Sequence, residues 1–226
     1  MTTIVGIQGD GFSIVCADSQ VSDVSSDGFA TQMVTLRESS GKLALNGRYI
    51  LGAAGDVRAI NILHHAFTPP AAPPTLKGKK LDQFITVKFI PALRECFEVH
   101  GYAAPQNEQS EHLAEQGSSI IVVTNGVIYT IESDYSWFSD SAGVYALGSG
   151  AQYAMGALFA LALKTKNLSI NVAKQHALRA LAAAARFDPY TGAPYQTYVQ
   201  GSDKTIKVVD TNKTQPKRQN TKKISK

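Results

Sequence analysis

The order of apolar runs and turn signals predicts an α+β protein, a four-layer αββα sandwich of two antiparallel sheets with helices on both outer faces. Three observations carry that expectation. Apolar runs of strand length come in pairs around tight Gly-containing turns. Stretches with helical spacing come in separate pairs. The two kinds alternate as strands, two helices, strands, two helices, strands. Strands joined by tight turns lie antiparallel, and helices grouped apart from them cover the outer faces of the sheets.

Thr2 to Ile7 and Phe12 to Ala17 are apolar runs around Gly9-Asp10-Gly11, the first hairpin. Val21 to Ser40 is polar and reads as an excursion. Residues 42–45 and 48–51 flank Asn46-Gly47, a strong hairpin signal. Gly52 to Gly55 closes that strand, and Asp56 is placed to cap a helix reaching about Phe67. Pro69 to Pro74 is a proline-rich surface loop. Leu81 to Val99 has helical spacing, with Pro91 expected to kink or restart it. Residues 101–117 read as a polar loop. Ser119 to Thr124 and Val127 to Glu132 form a third hairpin around Asn125-Gly126. The strand Val144 to Leu147 leads through Gly148-Ser149-Gly150 into a helix over 151–164, and Ser169 caps another that ends at Phe187. Gln196 to Gln200 and Thr205 to Val209 close the order.

The 226 residues are 44% hydrophobic and 18% charged, enough apolar material for one packed domain over 2–210. No apolar run approaches the roughly 18 residues a membrane span needs, and the start lacks the pattern of a secretory signal. The expectation is a cytoplasmic protein with no membrane partner. Cys16 and Cys96 lack a CxxC spacing and read as buried small hydrophobes. The net charge of +4 is a property of the end of the chain. Residues 211–226 hold six lysines and arginines and no acid, so the remainder carries −2. That tail reads as a solvated, disordered segment, or as an anchor for nucleic acid.

Several motifs fail. Gly148-Ser149-Gly150 invites a phosphate loop, but Tyr153 stands where GxGxxG needs glycine and no Walker lysine follows. Leu147 and Gln152 break the GxSxG pattern. His64 and His65 are adjacent and cannot share a helix face, and His176 stands alone, so neither a metal site nor a serine–histidine triad is supported and no cofactor is expected.

The start of the chain offers another chemistry. Methionine before threonine is a good substrate for methionine aminopeptidase. Its removal leaves Thr2 with a hydroxyl and a free α-amine, whose ordinary pKa is about 7.7–8. The amine can take the hydroxyl proton, which makes an activated nucleophile without histidine. The competing reading is that Thr2 simply begins a strand. Asp18 ends the second strand at the edge of a core, where a charge needs a reason.

TTIVGI at 2–7, ADSQ at 17–20, LGAAGD at 51–56, LGSGAQYAMGAL at 147–158 and ALRALAAAARFDPYTGAP at 177–194 resemble, in this order and spacing, the proteasome β-subunit family of N-terminal nucleophile hydrolases. The start is especially similar to the peptidase of the bacterial two-component ATP-dependent protease. The resemblance implies Thr2 as nucleophile, Asp18 as its carboxylate, the Gly52 N–H as oxyanion donor, and Ser149, Asp188 and Thr191 as a supporting polar network. Capping of helix ends is the other reading of those three. For the family's lysine a straight count from Thr2 lands on Val34, which cannot serve. The resemblance implies a lysine across the ladder from the residue before the oxyanion glycine; pairing across an Asn46-Gly47 turn puts Lys42 opposite Leu51, the residue before Gly52, and so selects Lys42, with Arg37 as the second choice. Ile50 and Ala54, with Ser22 nearby, match positions lining the pocket for the residue before the scissile bond, an apolar lining that predicts a modest apolar preference.

The resemblance implies a threonine endopeptidase cutting polypeptides inside a homo-oligomeric ring, six- or seven-fold, single or stacked, fed by an ATP-dependent unfoldase. The alternative is a catalytically silent subunit of this fold, for instance in a phage or viral particle, holding nucleic acid through its basic tail. A self-activating amidase is less favoured, because Cys16 sits inside a strand.

Overall fold

The computed structural model describes residues 2–24, 30–102, 116–161, 165–201 and 203–208. In chain order the elements are β1 (Thr3–Gly9), β2 (Phe12–Asp18), β3 (Gln20–Val24), β4 (Ala30–Thr35), a 3-10 turn (Glu38–Ser40), β5 (Leu43–Asn46), β6 (Tyr49–Ala54) and α1 (Val57–His65). Then come α2 (Lys79–Phe84), a π-turn (Ile85–Phe89), α3 (Ile90–Val99), β7 (Ser119–Thr124), β8 (Val127–Ile131), β9 (Trp137–Phe138) and β10 (Val144–Gly148). The last elements are α4 (Ala151–Ala160), α5 (Ile170–Phe187), β11 (Tyr195–Gln200) and β12 (Ile206–Val208).

Two five-stranded antiparallel sheets, ordered β10-β1-β2-β11-β12 and β5-β6-β7-β8-β9, form the two inner layers. The expected αββα sandwich is what the chain adopts. Three apolar clusters hold it. Val5, Ile7, Ile14 and Cys16 face α4 and α5, while Ile4, Val15 and Ala17 face the other sheet. Because both faces of β1 and β2 are buried, their sequences run continuously apolar rather than alternating. Leu51, Ala53 and Tyr129 look the opposite way, into a third cluster under α1, α2 and α3. Gly6 lets the sheets close: a Cβ there would sit 3.0 Å from Ile121 and 3.2 Å from Ile128.

Several details differ from expectation. The 21–40 excursion contains a two-stranded ribbon, β3 with β4. The 81–99 stretch is interrupted by the π-turn, and Pro91 is the second residue of the α-helix that starts directly after it, where a missing N–H costs no helical bond. Asp56 is the first cap of α1 by position, but its side chain makes no capping bond. The second hairpin turns on Gly47-Arg48, not on Asn46-Gly47. Asn46 pairs with Tyr49, and Gly47 takes φ +58 at the first central position. The register therefore slips by one, to Leu43↔Gly52 and Ala44↔Leu51. Cys16 is buried as expected, whereas Cys96 is only partly so, and both are free thiols. The tail over 211–226 lies outside the described residues, as does most of the 101–117 loop.

No helix among the described residues is long and apolar enough to cross a membrane. Phe89, fully buried, packs edge-on against Phe67 at 5.5 Å and tilted against Tyr49 at 5.3 Å. Phe89→Ala should lower unfolding free energy by about 3–5 kcal/mol, the range for aromatic-to-alanine cavities. Urea denaturation followed by far-UV circular dichroism checks this.

Candidate active site

The site grows from the first residues of β1. Thr3 pairs with Gly148 of β10 at one edge of that strand, and β2 flanks the other. Thr2, just before the strand, is 3% exposed. Asp18 ends β2 beside it, fully buried. Its Oδ1 accepts from the Thr3 N–H at 2.8 Å and from Lys42 Nζ at 2.7 Å. Its Oδ2 accepts from the Gln20 and Gly192 N–H groups, both at 3.1 Å. A buried carboxylate is tolerated only when it is paired and hydrogen-bonded, and Asp18 has four donors.

Lys42 stands immediately before β5 and is 1% exposed. Burial pushes its ammonium below the ordinary lysine value, and the Asp18 carboxylate offsets part of that shift. One oxygen of Asp18 holds both Lys42 and the Thr3 N–H, so the ammonium lies against the Thr2–Thr3 peptide. Arg37, the second choice from sequence, is exposed at the start of the 3-10 turn.

Gly148-Ser149-Gly150, which fails as a phosphate loop, is the seat of the two threonines. Gly148 has φ +93, and a Cβ there would fall 1.9 Å from the Thr2 carbonyl oxygen. A Cβ at Gly150 would fall 2.2 Å from Thr3 Oγ1. Between them Ser149 donates to Asp188 Oδ2 at 2.7 Å and lies 3.4 Å from the Thr2 carbonyl. Ser149 is not the cap of α4; that position is Gly150. Thr191 donates to Asp188 Oδ2 at 2.5 Å, which spends its proton, so the 2.5 Å bond between Thr3 and Thr191 has Thr3 as donor. A relay thus runs from Thr3 through Thr191 to Asp188. Sequence reasoning missed Thr3, Gly148 and Gly150. Glycines bracketing a serine between a strand and a helix were the available signal.

Gly52 does not point at this site. With Asn46 and Tyr49 closing one two-residue hairpin, and Thr124 and Val127 closing another, bond-exchanging pairs alternate from both ends. Both counts agree that Gly52 exchanges its bonds with Ile121 of β7. The residue whose N–H turns toward Lys42 is Ala53. Gly52 is small for a different reason than substrate approach: a Cβ would meet Leu43 at 2.7 Å and Ile121 at 3.0 Å inside the sandwich. Ile50 lies fully buried between the sheets, not on an open pocket wall. Ala54, 7% exposed, lies within reach of Gly148 at the end of β6 near the threonines. Ser22, 8% exposed, accepts from Gln20 Nε2 at 2.9 Å.

Other nucleophiles are poorly placed. Burial pushes the Cys16 thiol up to about 12, so it stays protonated. Among the described residues no three His, Cys, Asp or Glu side chains group to hold a metal ion.

No protein-family model matches the chain, and no curated protein does. Solved structures do. The chain is similar to Thiobacillus denitrificans BPH in complex with epoxomicin, at 20% identity and TM-score 0.66, over 88% of this chain and 98% of that one. It is similar to Anbu from Hyphomicrobium sp. strain MC1, at 13% identity and TM-score 0.62, over 94% and 88%. It is also similar to HslV from Trypanosoma brucei, at 19% identity and TM-score 0.54, over 87% and 98%. The fold is that of the proteasome-type N-terminal nucleophile hydrolases.

Removing one partner of a buried ion pair strands the other. Asp18→Ala should cost about 3–5 kcal/mol. Lys42→Met should cost less, because Asp18 keeps three backbone donors. Chemical denaturation of the two variants checks the order.

Proposed function

We propose that the chain is a threonine-type endopeptidase whose nucleophile is Thr2, freed by removal of Met1. The observation that carries this reading is the buried Lys42–Asp18 pair held against the Thr2–Thr3 peptide, with Ser149, Asp188 and Thr191 closing the other side.

In this reading the Thr2 hydroxyl attacks the carbonyl carbon of a peptide bond and gives its proton to the Thr2 amine. The Lys42 cation holds that amine's affinity for protons near working pH and favours the developing alkoxide. Asp18 keeps Lys42 charged and aimed. The negative oxygen of the tetrahedral adduct faces the Ala53 N–H, the main-chain donor of β6 that turns toward Lys42. Collapse expels the amine product, which takes the proton from the Thr2 amine and leaves an ester on Thr2. Water, with the amine as base, then hydrolyses the ester. Ser149, Asp188 and Thr191 are positioning residues that hold the first two residues in place.

The same reading gives a homo-oligomeric ring in the cytoplasm that encloses the site and takes unfolded polypeptide from an ATP-driven unfoldase. A second reading, a silent subunit that holds nucleic acid, is favoured by the six basic residues of 211–226. Intact mass spectrometry separates the two. The peptidase reading expects loss of Met1 and a covalent adduct of epoxomicin, the ligand of the Thiobacillus protein, that disappears in Thr2→Ala. Retained Met1 with no adduct would overturn it.

Lys42→Ala should lower kcat/KM by about 10²–10⁴-fold, the usual weight of a proton-transfer group. The amine must be unprotonated to act as base. The rate should therefore fall about tenfold per pH unit below an amine pKa at or under about 7.7–8. A pH profile on a fluorogenic peptide checks this.

A further inference from the structure

The inter-sheet face of β7 and β8 changes character along its length. Val123, Ile121 and Ile128 are apolar and sealed. Toward the end that carries Ala54 and Gly148, the same face continues as Ser119, Thr130 and Glu132. There the two sheets part around a cavity of about 310 Å³. One wall is β10, the last strand of its sheet, and β9, the last strand of the other sheet, supplies Phe138. Gly148 belongs to both the cavity wall and the seat of Thr2, so the cavity adjoins the proposed nucleophile.

Some of its polar atoms lack partners among the described residues. Thr130 is 2% exposed, and its Oγ1 has no hydrogen-bond partner among the described residues. Such a buried hydroxyl is an exception that needs an explanation. Glu132 spends one oxygen accepting from Ser119 at 2.9 Å. Asp140, also in the wall, spends one accepting from the Ala142 N–H at 2.8 Å. The second oxygen of each has no partner among the described residues. Among the described residues no lysine, arginine or histidine lines the cavity, and Phe138, Leu147 and Met155 supply apolar surface.

We propose that this cavity is a subsite for a positively charged side chain, lysine or arginine, of a polypeptide bound across Thr2. The match is chemical: a long aliphatic stem lies along the apolar wall, the cationic head meets a wall carboxylate, Glu132 or Asp140, and a spare donor satisfies Thr130. The proposal takes its substrate from the peptidase reading but its chemistry from the cavity. It adds a basic preference at one position to the apolar preference expected before the scissile bond.

The test uses quenched-fluorescence peptides in which lysine is replaced by norleucine, position by position, around the cleavage site. At one position lysine should give at least tenfold higher kcat/KM than norleucine, and in the Glu132→Gln/Asp140→Asn double variant that ratio should fall close to one. Using the ratio within each preparation cancels differences in folded fraction. A ratio near one at every position in the wild type, or a ratio that survives the double substitution, overturns the proposal. A binding arm needs no turnover: fluorescence anisotropy of a labelled Arg-containing peptide, against its norleucine counterpart, measured on Thr2→Ala. Selective binding that is lost in the added double variant supports the subsite even if the wild type cleaves nothing, and equal binding of both peptides defeats it.

Discussion

Everything about the site depends on where Asp18 puts its two oxygens. One holds Lys42 and the Thr3 N–H together, and the other ties the Gln20 and Gly192 N–H groups. Four separate parts of the chain, β1, the β2–β3 junction, the residue before β5 and the loop before β11, are thereby joined at one carboxylate. Its burial is affordable only because every lone pair has a donor. Lys42 in turn is buried against Asp18, whose carboxylate offsets part of the burial penalty. Charge, position and rigidity are one constraint at this point.

Close approach is the second constraint, and glycine supplies it. Gly148 and Gly150 make room for the Thr2 carbonyl and the Thr3 hydroxyl, and Gly6 and Gly52 let the two sheets meet. The first pair shapes the site and the second shapes the core. From sequence the two uses look alike, which is why Gly52 reads as part of the chemistry when its missing side chain serves packing.

The layers were legible because hairpin turns and paired helices leave strong local marks. Asn125-Gly126 turned where expected. Asn46-Gly47 did not, because a two-residue turn with glycine first is as good a solution as one with asparagine first, and only tertiary pairing chooses between them. That single slip reverses which main-chain groups face the Lys42–Asp18 pair, so the edge N–H that turns toward it belongs to Ala53 rather than Gly52. The choice of Lys42 rested on the slipped pairing: in the observed register Ala44, not Lys42, stands opposite Leu51, so the pairing argument fails although Lys42 is the lysine that meets Asp18. Among the described residues it is the one lysine in the buried set, and Asp18 is the fully buried acid that meets it. The role of Thr3 was invisible, because its partner Thr191 lies far away in the chain and no local pattern links them.

That separation has a consequence for how the molecule is made. Thr3 and Thr191 are 188 residues apart in sequence. At synthesis rates of about 5–20 residues per second, roughly ten to forty seconds pass between the emergence of the first threonines and that of their last support. During that interval the seat of Thr2 and Thr3 is incomplete, because Thr191 and Asp188 are not yet in place. The long-range relay thus sets an order: Thr3 cannot be tied down before Thr191 has been made.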